Sequence, residues 1–349
     1  MKNEYKVIGI MSGTSLDGLD LAYCIIKKDK EWSYQIKHYL TIEYSKEWLN
    51  KLSSLHKREK RIINKVNIDY GRFIGHSVLN FIRKYKISCD YICSHGHTIF
   101  HNPKKKYTLQ IGDGKTIADI TNITTINNFR NLDVKLGGQG APLVPIGDLL
   151  LFKEYKYCVN LGGFSNISIK KNNRIIAFDI CPVNFVLNSL CRNINIEYDH
   201  NGNIAKQGRI NKILLKKLAS INFYNKRAPK SLGREWVEKN IYPIINEINI
   251  KTEDKISTFT EHIAIEIGKI LKDNSVLITG GGALNRYLIE RIKTYSKSKI
   301  IIPSTKLINF KECLIFGLLG VLKIRNEDNC LKSVTGAKRN NCGGVIFHK

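Results

Sequence analysis

Three times along the chain a run of β-branched and apolar residues passes straight into glycine: Val7-Ile-Gly-Ile-Met-Ser-Gly-Thr14, Tyr157-Cys-Val-Asn-Leu-Gly-Gly-Phe-Ser-Asn-Ile-Ser168 and Val276-Leu-Ile-Thr-Gly-Gly-Gly-Ala-Leu-Asn285. After the first two the strand pattern resumes, in Leu19–Ile26 and from Ile167, so each reads as a β-hairpin turning on glycine. Two equivalent hairpins predict a duplicated lobe. The third run leads into Arg286–Ile292, where Leu288, Ile289 and Ile292 have helical spacing. That is strand, glycine turn, helix.

Helical patterns near 46–84, 183–194, 256–272 and 311–324 alternate with these strands and predict mixed α/β lobes. At 349 residues the chain exceeds the size of one ordinary core, so two lobes with a central cleft are expected. The break at Gly137-Gly-Gln-Gly140 and Pro142 sets the boundary, giving an N-terminal lobe 1–130 and a C-terminal lobe 131–349. A 43% apolar content suits a buried core. The opening residues turn polar too soon for a secretory leader, and Cys313–Leu322 is half the length of a membrane span. Nine cysteines, an odd number without a CxxC pair, fit a reducing compartment rather than a disulfide framework. A cytoplasmic protein without membrane contact is expected.

The formal charge of +26 raises a nucleic-acid partner. The lysines, however, are dispersed among Ile and Asn along the whole chain and lack the clustered footprint such binding requires. Lys57–Arg61 reads as a solvated helix face.

Several segments carry polar groups suited to chemistry. Backbone N–H groups at glycine hold phosphate, with Ser12, Thr14 and Ser15 as further donors and Asp17 and Asp20 able to hold a hydrated Mg²⁺. An ordinary hairpin turn accounts for Asp17-Gly18 equally well. Gly280–Gly282 suits either a nucleotide lying on bare backbone or tight strand-to-helix packing, and matches neither GxGxxG nor the Walker pattern. Asp179, at the end of an apolar strand before Pro182, is placed as a general base or as a helix cap. His95, His97 and His101, with Asp90 and Cys93, match no familiar zinc spacing, so substrate contacts or core hydrogen bonds fit them better. Arg130 is suited to an anionic substrate group or is an ordinary surface arginine, and Lys230–Glu235 is suited to substrate contact or helix capping.

Taken in order, these motifs resemble the anhydro-N-acetylmuramic acid kinases of the acetate and sugar kinase, heat-shock protein and actin superfold. The resemblance runs through residues 11–18, 94–99, 108–113, 129–145, 160–168, 229–235, 280–285 and 333–337, nearly the whole chain. It implies a two-lobed actin-like (ribonuclease H-like) sugar-kinase fold, ATP with Mg²⁺, an amino-sugar substrate and a homodimer. It implies that Gly13, Thr14, Ser15, Leu16, Asp17, Gly18, Leu19 and Asp20 form the ATP phosphate site. Gly162 and Gly163 become the second phosphate hairpin, Gly280, Gly281 and Gly282 lie beside adenosine, and Asp179 becomes the catalytic base. His95, Thr98 and Arg130 would line the sugar pocket, and Glu312 would couple closure to catalysis. The implied reaction opens 1,6-anhydro-N-acetylmuramic acid with water and phosphorylates O6, in peptidoglycan recycling. Cys181 and Val183 stand where the family commonly carries glycine, a place where side chains would crowd a ligand. His97 stands where glutamine is common, and Asn128 where aspartate is. A kinase for another sugar or small acid, and a silent ATP-binding sensor, are the competing readings.

Overall fold

A computed structural model describes residues 2–13, 16–172 and 174–349. The chain divides into two compact units, Met1–Leu151 with Phe310–Lys349, and Phe152–Asn309.

In the first unit β1 (Glu4–Ser12), β2 (Leu19–Lys28) and β3 (Trp32–Ile42) form an antiparallel meander. β4 (Tyr91–Asn102) pairs in parallel with β1, β5 (Tyr107–Ile111) folds back on β4, and β6 (Thr125–Asn127) extends the parallel run. A parallel return needs a long crossover, which the helices Lys46–Ser54 and Lys60–Tyr85 supply. Tyr70, Ile74, Val78 and Phe81 of the longer helix pack on Ile8, Ile10, Leu19 and Leu21 of the sheet. The second unit repeats the plan: β7 (Tyr157–Leu161), β8 (Phe164–Lys171) and β9 (Arg174–Pro182) form the meander, and β10 (Ser275–Thr279) and β11 (Lys299–Ile301) add in parallel beside β7. Both sheets therefore run third, second, first, fourth and then one further parallel strand. The duplication predicted from two hairpins is present as topology. The chain closes with β12 (Val345–Phe347), antiparallel to β6 of the first unit.

The boundary differs from the one set at residues 130 and 131, because 131–151 and 310–349 belong to the first unit. Asp133 is the physical reason. Its fully buried carboxylate accepts from Gly140 N–H (2.7 Å), Thr335 Oγ1 (2.8 Å), Asn341 Nδ2 (2.9 Å) and Cys330 Sγ (3.1 Å), which ties the glycine loop to the C-terminal segment. Close approach adds to this. A Cβ on Gly9 would stand 1.9 Å from the Cys313 carbonyl oxygen, and one on Gly320 2.1 Å from Cys93 Sγ, so the helix Thr305–Ile324 lies directly on β1 and β4. Gly9 therefore serves packing within a strand, and the turn itself begins at Gly13.

The 46–84 pattern resolves into two helices with a tight turn at Leu55–Lys57, and Lys57–Arg61 is exposed. Among the described residues no helix is long and apolar enough to cross a membrane. Cys313–Leu322 is buried within Thr305–Ile324, as its length suggested.

Candidate active site

The β1–β2 hairpin closes at the pair Ser12 and Leu19. Thr14 and Ser15, named above as phosphate donors, lie outside the described residues. Leu16 N–H donates to Gly13 C=O (3.2 Å). Gly18, at φ +155°, would place a Cβ 2.7 Å from the Ile42 carbonyl oxygen, so glycine there is a requirement of the fold. Leu19 is fully buried in the core and Leu16 packs against it, leaving only their backbone to face a ligand. Asp20 Oδ1 accepts from Thr41 Oγ1 (2.5 Å); burial raises its carboxyl above the ordinary range, and the charge of Asp17 adds to the rise.

Just before this turn lies a buried chain of hydrogen bonds that the sequence reading missed. His97 Nδ1 meets Ser12 Oγ (2.8 Å), Ser12 Oγ meets Tyr44 Oη (2.7 Å), and Tyr44 Oη meets Tyr70 Oη (2.6 Å). Burial lowers His97 to about 4, so the imidazole is neutral and the chain is held without charge. The only local signal was a histidine one residue from a glycine in a strand, which says nothing about Tyr44 or Tyr70.

His95 and Arg130 meet. Arg130 Nε donates to His95 Nε2 (2.9 Å) and Nη1 donates to the Gly140 carbonyl (2.6 Å), while His95 Nδ1 lies 2.9 Å from the Gly96 carbonyl. Guanidinium has no acceptor and a carbonyl has no donor, so His95 must be neutral with its proton on Nδ1. Burial, then the Arg130 charge, lowers His95 well below its usual value, in agreement with that tautomer. Burial also brings Arg130 down to about 10, still a cation at neutral pH. Glu312 keeps its side chain open to solvent yet is crowded by protein. The crowding raises its carboxyl, Arg130 and Lys311 pull the other way, and Asp20 adds to the rise. Thr98, half-buried on β4, accepts a long hydrogen bond from Gln110 Nε2 (3.4 Å).

His101 binds Thr108 Oγ1 (3.0 Å), so the three histidines have three different partners. Among the described residues no group of three or more His, Cys, Asp or Glu side chains could hold a metal ion.

The second unit gathers three of the sequence motifs. The Gly162 and Gly163 carbonyls accept from the N–H groups of Val183 (2.9 Å), Asn184 (3.2 Å) and Phe185 (3.1 Å), so the turn caps the helix Asn184–Arg192. Gly280, at φ +83°, lies against the end of β7: a Cβ there would meet Asn160 Oδ1 at 2.6 Å and Leu161 C at 2.8 Å. Gly282 touches Leu161 as closely. Gly163 and Gly281 are different. Neither has a positive φ, and the nearest atom to an added Cβ is 3.7 Å away in both. The fold has no use for their lack of a side chain, and a bare backbone open on one side is what a phosphate or a ribose needs. The expected strand, glycine turn and helix follow in order, with Asn285 Oδ1 capping Arg286–Tyr295 through Leu288 N–H (2.9 Å).

Asp179 sits next to a β-bulge, because Asn166 pairs with Asp179 while Ser165 pairs with Cys181, leaving Ile180 as the extra residue. Its N–H donates to Lys230 C=O (3.0 Å) and its Oδ2 accepts from Leu232 N–H (2.8 Å). Lys230–Glu235, singled out separately in sequence, is thus the brace of the acid. Asp179 caps no helix. Burial raises its carboxyl above the ordinary range, against the pull of the Leu232 hydrogen bond. Cys181 and Val183 turn their side chains into the core, both fully buried, and Ser165 Oγ binds the Cys181 backbone. They occupy core volume.

Two sheets of one topology, each opening on a glycine hairpin, the second with an acid near the end of its third strand and a strand–glycine–helix on its fourth, make a duplicated α/β fold of the actin-like kind. The comparisons with known proteins make this specific. The profile of the anhydro-N-acetylmuramic acid kinases matches residues 5–349, and the chain belongs to that family. It is 30% identical to the anhydro-N-acetylmuramic acid kinase of Bacillus cereus (strain G9842), over 95% of this chain and 96% of that one. It is 32% identical to the enzyme of that name in Mannheimia succiniciproducens, over the full length of both. Among solved structures, component A of the (R)-2-hydroxyglutaryl-CoA dehydratase of Acidaminococcus fermentans aligns with a TM-score of 0.47 at 10% identity, over 91% of this chain and 97% of that one.

Proposed function

We propose that this kinase opens 1,6-anhydro-N-acetylmuramic acid with water and transfers the γ-phosphoryl group of ATP to O6, giving N-acetylmuramic acid 6-phosphate and ADP in peptidoglycan recycling. The observation that carries the reading is Asp179: a half-buried carboxyl of raised basicity, held through one oxygen by Leu232 N–H, beside a bulge that aims it. Among the described residues its Oδ1 has no partner. That oxygen takes a proton from water. The water oxygen bonds to the anomeric carbon, the bond from that carbon to O6 breaks, and O6 accepts the phosphoryl group. Arg130, fixed by His95 and Gly140, is suited to the carboxylate of the sugar's lactyl group.

Gly163 and Gly281, which have room for a Cβ that the fold does not fill, support a nucleotide against this backbone. Asp17 and Asp20 supply hard oxygens of the kind that hold Mg²⁺ through its waters, and the ion when bound offsets phosphate charge. Nine cysteines, none of them in a disulfide and seven of them buried, favour the reducing cytosol as the place of work.

The test is direct. Purified protein with ATP, Mg²⁺ and the anhydro-sugar should yield ADP and the 6-phosphate, and Asp179→Asn should lower turnover by about 10²–10⁴-fold while ATP still binds. An unchanged rate removes Asp179 from the mechanism, and turnover of another sugar without turnover of this one overturns the substrate.

A further inference from the structure

A cavity of about 300 Å³ lies in the second unit on the face of the sheet opposite Asp179. Its floor carries Ile176 and Phe178, which alternation along β9 sets on the other face from the acid, and Ile169 of β8, which pairs with Ile176. Its walls are the segment Tyr224–Lys230 and the helix Thr252–Ile270. The volume is on the order of ten waters at about 30 Å³ each, at the lower end of small-molecule sites.

The charges around it are unbalanced. Lys171, Lys226, Arg227, Lys230 and Lys269 face one carboxylate, Glu266, which is already paired with Lys269 at 2.6 Å. Lys230 Nζ is committed to the Phe223 and Tyr224 carbonyls at 3.2 and 3.3 Å. Lys171, Lys226 and Arg227 are exposed at the rim and, among the described residues, pair with no carboxylate.

The helix wall, behind the lining residues, holds a second sign. Among the described residues His262 is fully buried with neither ring nitrogen hydrogen-bonded, and Tyr224 Oη is buried without a partner, the two rings meeting edge-on at 4.8 Å. His262, Glu266 and Ile270 fall on one stripe of the helix at i, i+4 and i+8, so the histidine lies two turns from the Ile270 lining on the cavity's own face. A buried donor or acceptor left unmet is costly, a reason to look for what meets it.

We propose that this cavity binds a small organic anion, a phosphate monoester or carboxylate carrying an apolar ring, and that its occupancy controls the position of Asp179. The coupling runs through backbone. Ala228 and Lys230 line the cavity, the Lys230 carbonyl accepts the Asp179 N–H, and Leu232 N–H holds Asp179 Oδ2. A ligand drawn to Lys226 and Arg227 pulls on the segment that braces the acid. The coupling rests on the catalytic reading of Asp179; the binding does not.

Phenyl phosphate, titrated calorimetrically into the full chain saturated with ADP, is the probe, with phenol as the uncharged control. Wild type should bind it saturably, and Lys226→Gln/Arg227→Gln should weaken binding by about tenfold, the order expected for losing charge-assisted hydrogen bonds. Both replaced residues are exposed, so the variant's melting temperature should be unchanged. In turnover assays, saturating phenyl phosphate should change kcat of the wild type with KM for ATP unaltered, and should leave the variant unmoved. Equal binding by wild type and variant, or no saturable heat at millimolar concentrations, overturns the site. Binding without any change in kcat overturns the coupling. If the anhydro-sugar is not a substrate at all, the calorimetry still decides the site.

Discussion

Replacing Asp133 by alanine should loosen the first unit and, through the Gly140 loop, the hold on Arg130. The carboxylate is fully buried and accepts from four donors. Two of these have recourse or little to lose, since the Thr335 hydroxyl also reaches the Leu331 carbonyl at 3.4 Å and a thiol is a weak donor. The Gly140 N–H and the Asn341 amide are left stranded at about 1–3 kcal/mol each. With the packing lost beside Gly138 the total is about 4 kcal/mol, within the range for breaking a buried polar network. For a unit of this size, about 2–4 °C per kcal/mol gives a fall in Tm of about 8–16 °C. Asp133→Asn keeps the shape and one acceptor but turns an amide donor toward a donor, so it should fall about halfway. Because the Gly140 carbonyl also fixes Arg130, KM for the sugar should rise more than KM for ATP. Calorimetric melting and a two-substrate kinetic analysis test this together. A Tm shift within about 2 °C for the alanine variant would refute the hub.

Three other outcomes follow from the same reasoning. The raised carboxyl of Asp179 must lose its proton to act as base, so turnover should fail as pH drops through a value above the ordinary carboxylate range; a kcat/KM profile flat down to about pH 4 contradicts this. Gly163→Ala and Gly281→Ala should leave Tm almost unchanged but weaken ATP binding, whereas Gly280→Ala, at φ +83° against Asn160 and Leu161, should lower both; calorimetric ATP titration beside melting curves separates the two kinds of glycine. His97 titrates near 4 when folded and near 6.5 when unfolded, so the unfolded chain takes up the extra proton as pH falls and stability is lost between those values. From pH 7 to 5 the loss assigned to His97 is about 2 kcal/mol at about 1.4 kcal/mol per unit, and His97→Gln should abolish that share of the slope in urea unfolding.

Local chemistry was legible and distant closure was not. Val7–Ser12, Tyr157–Leu161 and Val276–Thr279 announced themselves as strands because β-branched runs end at glycine, and the hairpins that follow two of them required only the next few residues. The duplicated sheet order follows from those hairpins. The boundary was not legible. Gly137–Gly140 looks like a linker in sequence, and only the hydrogen bonds that Asp133 accepts from residues some two hundred positions later make it part of the first unit. The same holds for the site. Asp179 and Lys230–Glu235 were each visible as polar groups in apolar surroundings, but nothing local says that the second braces the first. Cys181 and Val183 could be compared with glycines, yet their burial depends on a bulge at Ile180 that pairing with β8 creates.

The glycines carry the sharper distinction. In sequence Gly9, Gly18, Gly163, Gly280 and Gly281 look alike, each within or beside a strand-and-turn segment. Sterically they divide. Gly9 admits a helix backbone, Gly18 and Gly280 hold conformations and contacts that a side chain would break, and Gly163 and Gly281 have ordinary φ and free space. A glycine that the fold explains says nothing of a ligand. One that the fold leaves unexplained, beside a turn whose carbonyls are already spent on capping Asn184–Arg192, leaves N–H groups and bare Cα as what the turn can still offer. That offer suits a polyphosphate, and it arises in the second unit from Gly163 and Gly281 together, on the same sheet whose third strand carries Asp179 near its end.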